Sequence, residues 1–224
     1  MADWVLLPLK RMAEAKSRLS VAFGPADRQA LMRAMVADVI TACRSARRVD
    51  RIGVITSDPA WKAVASGLGC AIFDELIALG YSAGAELGCA LLERDGTARH
   101  VAVLPGDLPL IRPQEVDTVM AALAEGARCV IVPSRDGAGT NCMAQPLPLS
   151  VPLRYGPNSF ERHRALAGAA GVAATVLHLP GIGHDVDRPE DLDELEWQAA
   201  GPWTELELRR LFATTRHRQS RRSA

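Results

Sequence analysis

The stretch "HVAVLPGDLPLI", residues 100–111, decides how the rest of the sequence is interpreted. Its first half is a run of small and branched apolar residues, which is typical of a strand buried on both faces. The run ends in Gly106-Asp107, and Pro105 and Pro109 lie on either side of that pair. Because proline fixes its own φ and restricts the residue before it, few directions are open to Asp107. The stretch therefore predicts a buried strand that ends in a firmly held carboxylate, with a simple turn-forming Gly-Asp pair as the alternative.

Other apolar runs follow along the chain, and segments with helical periodicity separate them. The predicted strands cover residues 3–9, 51–57, 70–75, 101–104, 127–134 and 172–179, with a short strand or extended piece at 142–149. The predicted helices cover residues 25–46, 59–69, 81–96, 112–126, 158–171 and 189–200. Continuously apolar strands that alternate with helices indicate an α/β fold, with a mostly parallel sheet and helices on both faces.

Length and charge limit the classes of protein to which this chain can belong. Its 224 residues suit one α/β domain, which we place at residues 1–200. Residues 201–224 are predicted as a short helix over 203–212 followed by a basic, disordered tail. Lysine and arginine together number 26, as do aspartate and glutamate, so no nucleic-acid partner is expected.

The cysteines and the amino terminus bear on the location of the protein. The five cysteines are scattered and never spaced as C-x-x-C, which favours reduced core residues over a disulfide or zinc framework. The chain begins directly with a strand-like run and shows no basic-then-apolar signal. No apolar stretch reaches the roughly 20 residues that a membrane-spanning helix needs. We therefore expect a cytoplasmic protein without a membrane partner.

Acidic residues at strand ends are candidates for a metal site, because ligands of open parallel sheets bind beyond the carboxyl ends of the strands. Asp107 lies at such an end, and its carboxylate is a natural oxygen ligand for Mg²⁺. The segment "GHDVDRPEDLDEL", residues 183–195, brings further acids. Asp187 begins a D-R-P-E capping-box pattern, which gives it a structural explanation. Asp185 has no such explanation, so it is the preferred second metal ligand and Asp187 the less favoured one.

Two further elements could bind an anion. The glycine-rich loop of residues 134–141 can offer backbone N–H groups, although it lacks the spacing of a phosphate-binding P-loop. Residues 154–163 place Gly156 and Ser159 at the start of a helix, where free N–H groups and the helix dipole attract phosphate or carboxylate. Plain helix capping is the alternative at the second element. Two adjoining elements of this kind favour an anion site.

Single residues beside these elements carry further expectations. Lys10 and Lys16 follow the first strand, where a polyphosphate would lie, and a solvated basic face is the alternative. Gly106 has no side chain, so a ligand could approach its backbone. His163 lies within a predicted helix and is interpreted as a surface or helix-packing residue rather than a catalytic one.

Five motifs occur here in the order in which a known family carries them: "LPLKRMAEAKSRL", "LPGDLPLI", "PSRDGAGTN", "YGPNSFERH" and "HDVDRPEDL". Together they resemble the guanylyltransferase family of deazaflavin coenzyme F-420 biosynthesis, which includes phosphoenolpyruvate, 2-phospho-L-lactate and 3-phospho-D-glycerate guanylyltransferases. The resemblance covers about residues 3–198. It implies a Rossmann-like (GT-A-like) nucleotidyltransferase fold. It also implies transfer of GMP from GTP to the phosphate of a small acid, with release of pyrophosphate.

The resemblance further implies roles for particular residues. By this resemblance, Asp107 and one aspartate of "HDVD" would bind Mg²⁺, and Lys16 and Asp107 would be catalytic. GTP would be bound by Lys10, Lys16 and Gly106. The acid would be bound by Thr140, Gly156 and Ser159. The acceptor phosphate has a second pKa of about 6, so it is already a dianionic nucleophile at neutral pH and no catalytic histidine is expected. A downstream transferase that accepts the product and a second copy of the chain are candidate partners.

One segment departs from the family. Relatives usually begin the helix after the third strand with a Leu-Asn pair beside the nucleotide base, and this chain has Tyr81 and Ser82 there. How the base is recognised is therefore left open. Two alternatives stay open with it: another nucleotidyltransferase of the same fold, of the molybdopterin-cofactor or sugar-phosphate type, or a non-catalytic nucleotide-binding partner of a downstream transferase.

Overall fold

The computed structural model describes residues 1–14, 16–193, 195 and 199–220, with side chains up to residue 213. The described residues form one seven-stranded sheet in the order β3-β2-β1-β4-β6-β5-β7. The strands are β1 Ala2–Pro8, β2 Arg51–Thr56, β3 Ala71–Asp74, β4 Ala98–Val103, β5 Cys129–Pro133, β6 Thr140–Pro146 and β7 Ala174–Val176. All neighbouring pairs are parallel except the two that include β6. The predicted fold class is confirmed.

Helices cover both faces of this sheet. They are α1 Pro25–Ser45, α2 Pro59–Gly67, α3 Tyr81–Asp95, α4 Pro113–Ala124, α5 Ser159–Ala169, α6 Pro180–Gly183, α7 Pro189–Asp193 and α8 Pro202–Ser220, with short 3-10 turns at Met12–Glu14 and Ser17–Val21. The last helix of the predicted core, over 189–200, is shorter in the structure and ends at Asp193. Residues 194 and 196–198 of that prediction lie outside the described residues.

Strand β1 lies near the middle of the sheet, and its side chains alternate between two cores. Val5 and Leu7 pack with α1, α2 and α4 on one face. Trp4 and Leu6 pack with α3 and α5 on the other. A strand buried on both faces must be apolar at every position, which explains the unbroken apolar run in the sequence. The pairing of β1 with β2 and β4 brings the carboxyl ends of all three strands to one edge.

Strand β6 is the element that the sequence described least well. It was expected to be a short or extended piece at 142–149, but it runs antiparallel between β4 and β5 and is buried. The apolar run is interrupted by Asn141 and Gln145, which hides the strand in a sequence pattern. The side chain of Gln145 donates to Val151 O and accepts from the N–H groups of Ser150 and Val151, so its burial is compensated.

The carboxyl-terminal helix α8 packs on α1. Leu208 and Leu211 share a buried cluster with Leu31 and Met35 of α1. The Asp38 carboxylate of α1 accepts hydrogen bonds from the N–H groups at the start of α8. The sequence predicted a helix only over 203–212 with a disordered tail after it, so the helix is longer than predicted. Residues 221–224 lie outside the described residues, and the domain boundary at residue 200 stays a prediction.

Candidate active site

The segment after β4 carries Asp107 to the carboxyl edge of the sheet. A β-carbon at position 106 would lie 2.6 Å from Val36 Cγ2 and 2.9 Å from Leu9 Cδ2. Only glycine fits such a close approach, so the missing side chain of Gly106 makes room for core residues. The backbone N–H of Val186 donates to Asp107 O at 3.1 Å. This bond holds the "HDVD" segment beside Asp107.

Lys16 lies between two carboxylates at this edge of the sheet, those of Asp107 and Asp187. It has a left-handed backbone with φ of 52° and is buried, and its Nζ donates to Asp107 Oδ2 and, at 2.9 Å, to Asp187 Oδ1. Burial disfavours the charged ammonium, but the charges and hydrogen bonds of Asp107 and Asp187 outweigh it and raise the pKa of Lys16 above its usual value. Lys16 therefore stays positively charged between two carboxylates.

Asp187 and Asp185 have different surroundings. Burial raises the pKa of Asp187, but Lys16, followed by Arg18 and Arg188, outweighs burial and lowers that pKa below its usual value. The predicted capping role of Asp187 is wrong, because its carboxylate binds Lys16 and Arg18. The carboxylate of Asp191 instead accepts the backbone N–H groups of Asp187 and Arg188, at 2.8 and 2.7 Å.

Asp185 is held by an amide and lies close to a second carboxylate. Its Oδ1 accepts a hydrogen bond of 3.0 Å from Asn141 Nδ2 of strand β6. Burial, and then the charge of Asp107, raise the pKa of Asp185 above its usual value. A cation placed between Asp185 and Asp107 would offset both the cost of burying the Asp185 carboxylate and its repulsion by Asp107.

The donor atoms at this edge suit a divalent cation that is completed by a ligand. Asp107 Oδ1 is buried and has no hydrogen-bond partner among the described residues. Across the described part of the chain, no three His, Cys, Asp or Glu side chains are grouped as a complete metal site. One or two carboxylates that share Mg²⁺ with phosphate oxygens are the usual arrangement for that ion, so Asp107 and its neighbours fit it.

Thr140, at the start of β6, is held by His163 of α5. The backbone N–H of Arg154 donates to His163 Nε2 at 2.8 Å, so Nε2 carries no proton and Nδ1 does. Nδ1–H then donates to Thr140 Oγ1 over 3.0 Å, which leaves the threonine hydroxyl proton free for a further acceptor. Burial, with the charges of Arg162 and Arg154, lowers the pKa of His163 to about 4. The helix-packing interpretation of His163 missed this bond.

The two elements that the sequence predicts to bind an anion lie side by side. Phe160 N donates to Ala138 O at 3.2 Å and joins the 134–141 loop to the start of α5. Within the loop, the N–H groups of Ala138 and Gly139 bind the side chains of Asp136 and Ser134, so they are not offered to an anion as the sequence suggested. Asn158 has a left-handed backbone and makes no side-chain cap.

Three cavities follow one another along the carboxyl edge, and Lys10 and Tyr81 line all three. The outer cavity is also lined by Pro8, Leu9, Ile55, Ser57, Glu75 and Ala78. The central cavity is also lined by Arg11, Lys16, Arg18, Gly106, Asp107 and Asp187. The loop cavity is also lined by Asp107, Thr140, Asn141, Gly156, Ser159 and Asp185. The predicted site residues therefore meet in the central and loop cavities.

The sequence model described as "Guanylyl transferase CofC like" matches residues 3–223. The chain belongs to this family. A phosphoenolpyruvate guanylyltransferase of Conexibacter woesei is 37% identical over 196 residues, which are 87% of each chain. A 3-phospho-D-glycerate guanylyltransferase of Phenylobacterium zucineum is 33% identical over 190 residues, which are 84% of this chain and 85% of the relative. The predicted resemblance is confirmed.

Solved structures agree with this chain in fold. A putative nucleotide-diphospho-sugar transferase from Desulfovibrio desulfuricans superposes with a TM-score of 0.76 at 16% identity, covering 97% of this chain and 98% of the other. A CMP-2-keto-3-deoxy-manno-octonic acid synthetase complexed with CTP gives a TM-score of 0.60 at 14% identity, covering 87% and 96%. The fold is therefore that of a nucleotidyltransferase. None of the helices in the described ranges has both the length and the apolar character needed to cross a membrane.

The departure of this CofC-like chain at residues 81–82 has a structural explanation. Ser82 Oγ accepts the backbone N–H of Tyr155 at 2.9 Å, and the two tyrosine rings meet edge to face with centroids 4.8 Å apart. The start of α3 thus supports the wall of the loop cavity. Ser82 is therefore engaged in supporting that wall.

Proposed function

We propose that this chain transfers GMP from GTP to the phosphate of a small phosphorylated acid and releases pyrophosphate, in coenzyme F-420 biosynthesis. Phosphoenolpyruvate, 2-phospho-L-lactate and 3-phospho-D-glycerate are the candidate acceptors. The observation that carries the proposal is the charged Lys16 between Asp107 and Asp187 in the central cavity. The names of the relatives, which specify phosphoenolpyruvate and 3-phospho-D-glycerate, support the same reaction.

The reaction requires alignment of the two reactants and neutralisation of their charge more than it requires a general base. An oxygen of the acceptor phosphate attacks the α-phosphorus of GTP, and the bond to the bridging oxygen of pyrophosphate breaks. Lys10, Lys16 and Arg18 line the central cavity, where they would neutralise the triphosphate and the charge that develops on pyrophosphate. The neutral His163 is not needed to remove a proton, because the attacking phosphate is already ionised.

Asp107 and Asp185 would hold Mg²⁺, with Asp187 as the less favoured ligand. Asp187 is already paired with Lys16 and Arg18, whereas the described contacts give Asp185 no cation. When bound, Mg²⁺ supplies positive charge to the phosphates and lowers the repulsion between two anionic reactants.

The loop cavity would bind the acid. The free hydroxyl proton of Thr140 is available to a phosphate or carboxylate oxygen. Gly156, with φ of 126°, and Ser159 bring backbone at the start of α5 to the same cavity.

A substrate panel tests the proposal. The protein is incubated with Mg²⁺, each of the four nucleoside triphosphates and each of the three acids or a pterin. Pyrophosphate release and nucleotide binding are measured. Release with GTP and one of these acids is expected. Release only with CTP or with a pterin acceptor would favour another nucleotidyltransferase of this fold. Absence of release with every pair, despite nucleotide binding, would favour a non-catalytic partner.

The remaining expectations stay predictions. A downstream transferase would accept the product, and a second copy of the chain is a further candidate partner. The five cysteines are free and buried, which accords with the expected cytoplasmic location.

A further inference from the structure

The outer cavity combines apolar and polar lining residues, as a site for a nucleotide base would. It lies beyond the carboxyl ends of β1, β2 and β3, next to the cationic central cavity. Pro8, Leu9, Ile55 and Ala78 give it apolar walls. A nucleotide whose phosphates lie in the central cavity would place its base here.

A buried acid, Glu75, lines this cavity. Glu75 is 7% exposed, whereas the other acid that lines the cavity, Glu14, is exposed. No described residue forms an ion pair with Glu75, although a buried carboxylate is costly unless donors compensate it. Its position therefore needs an explanation beyond surface solubility.

The carboxylate of Glu75 is held in one orientation. Its Oε1 accepts the backbone N–H of Leu79 at 2.8 Å. Gly84 of α3 packs against it so closely that a β-carbon there would lie 3.1 Å from Oε1. One oxygen is thus fixed by the protein. The other oxygen, Oε2, is not a buried atom without a hydrogen-bond partner, so it is either bonded or accessible.

We infer that Glu75 is the residue that selects guanine, by accepting hydrogen bonds from N1–H and the 2-amino group of the base. These two donors lie side by side on guanine, and a carboxylate is an acceptor-only group. Adenine and cytosine present a lone pair at the corresponding ring nitrogen, which a carboxylate repels. A site built to bind N–H groups rejects analogues that lack them. This inference rests on the proposed function, and it names the group that reads the base.

The test compares GTP with ITP, because hypoxanthine keeps N1–H and lacks the 2-amino group. The wild-type protein is expected to prefer GTP in kcat/KM by about tenfold or more, as for a hydrogen bond to a charged group. In Glu75→Gln the amide oxygen can still accept from Leu79, and the amide nitrogen then faces the donors of the base. The GTP-to-ITP ratio is expected to fall to about one. If Glu75 only holds the loop, both substrates lose activity equally and the ratio stays at its wild-type value.

Controls keep the outcomes distinct. Glu93→Gln, on the exposed part of α3 away from the cavities, should keep the wild-type ratio. If Glu75→Gln does not fold, Glu75→Asp replaces it, since a shortened carboxylate should lower the ratio as well. An active wild type with a ratio near one, or a variant with an unchanged ratio, overturns the role of Glu75. A wild type without activity on GTP and any of the three acids overturns the proposed function instead.

Discussion

At the residue scale, the bond from His163 to Thr140 sets the direction of a hydroxyl proton. His163 is a positioning residue, because it reaches the loop cavity only through Thr140. His163→Gln can keep the acceptor for the Arg154 N–H but loses the donor to Thr140. We expect the KM for the acid to rise about tenfold with the KM for GTP unchanged, measured by pyrophosphate release.

A matched variant checks this explanation. His163→Asn places an amide near the position of Nδ1 and should recover part of the loss. Thr140→Val, which removes only the hydroxyl, should raise the KM for the acid to a similar extent. Equal effects on the KM values of GTP and acid in all three variants would contradict the positioning role.

The same histidine should make stability depend on pH. Its pKa falls from 6.5 to about 4 on folding, so below pH 6.5 the unfolded chain binds more protons than the folded one. The free energy of unfolding should therefore decrease as pH falls from 6.5 to about 4, by up to about 1.4 kcal/mol per pH unit from this group. Denaturant titrations at a series of pH values should show that the free energy of unfolding falls more steeply with decreasing pH in the wild type than in His163→Gln. Parallel curves would contradict the buried neutral state.

At the element scale, the start of α8 is capped by a residue of another helix. The Asp38 carboxylate of α1 accepts from Trp203 N at 3.2 Å and Thr204 N at 2.7 Å. Asp38→Ala should lower the free energy of unfolding by about 1–2 kcal/mol, because two N–H groups at a helix start lose their acceptor. Denaturant unfolding measures this loss, and pyrophosphate release should stay at the wild-type rate. A change below about 0.3 kcal/mol would mean that α8 does not depend on Asp38.

The elements also show what sequence patterns could and could not reveal. Uniformly apolar strands such as β1 were located within a residue or two, because burial on both faces leaves a continuous signal. Strand β6 is hard to recognise as a central strand, because it contains the polar Asn141 and Gln145. Their side chains are satisfied by the backbone of Ile182 and Val151, contacts that an apolar pattern does not show. The left-handed backbone of Lys16 was equally hidden, since its two aspartate partners are far away in sequence.

At the scale of the whole molecule, the sequence motifs become one continuous site. Five separate motifs pointed to the family, and the fold brings their residues to the carboxyl edge of one sheet. The sequence could name Asp107, Lys16 and Thr140 as candidates. It preferred Asp185 to Asp187 as a metal ligand on a capping argument, but it could not show the physical reason, which is that Lys16 and Arg18 neutralise Asp187.

The central claim is that the Asp107 carboxylate, where the central and loop cavities meet, is required for GMP transfer. The most direct measurement is pyrophosphate release by Asp107→Asn with GTP, Mg²⁺ and the preferred acid. Asp95→Asn, an exposed change at the far end of α3, is its control, and thermal melting confirms that both variants fold. We predict a loss on the order of a thousandfold in kcat for Asp107→Asn and none for Asp95→Asn. A folded Asp107→Asn protein with near wild-type turnover would contradict the account.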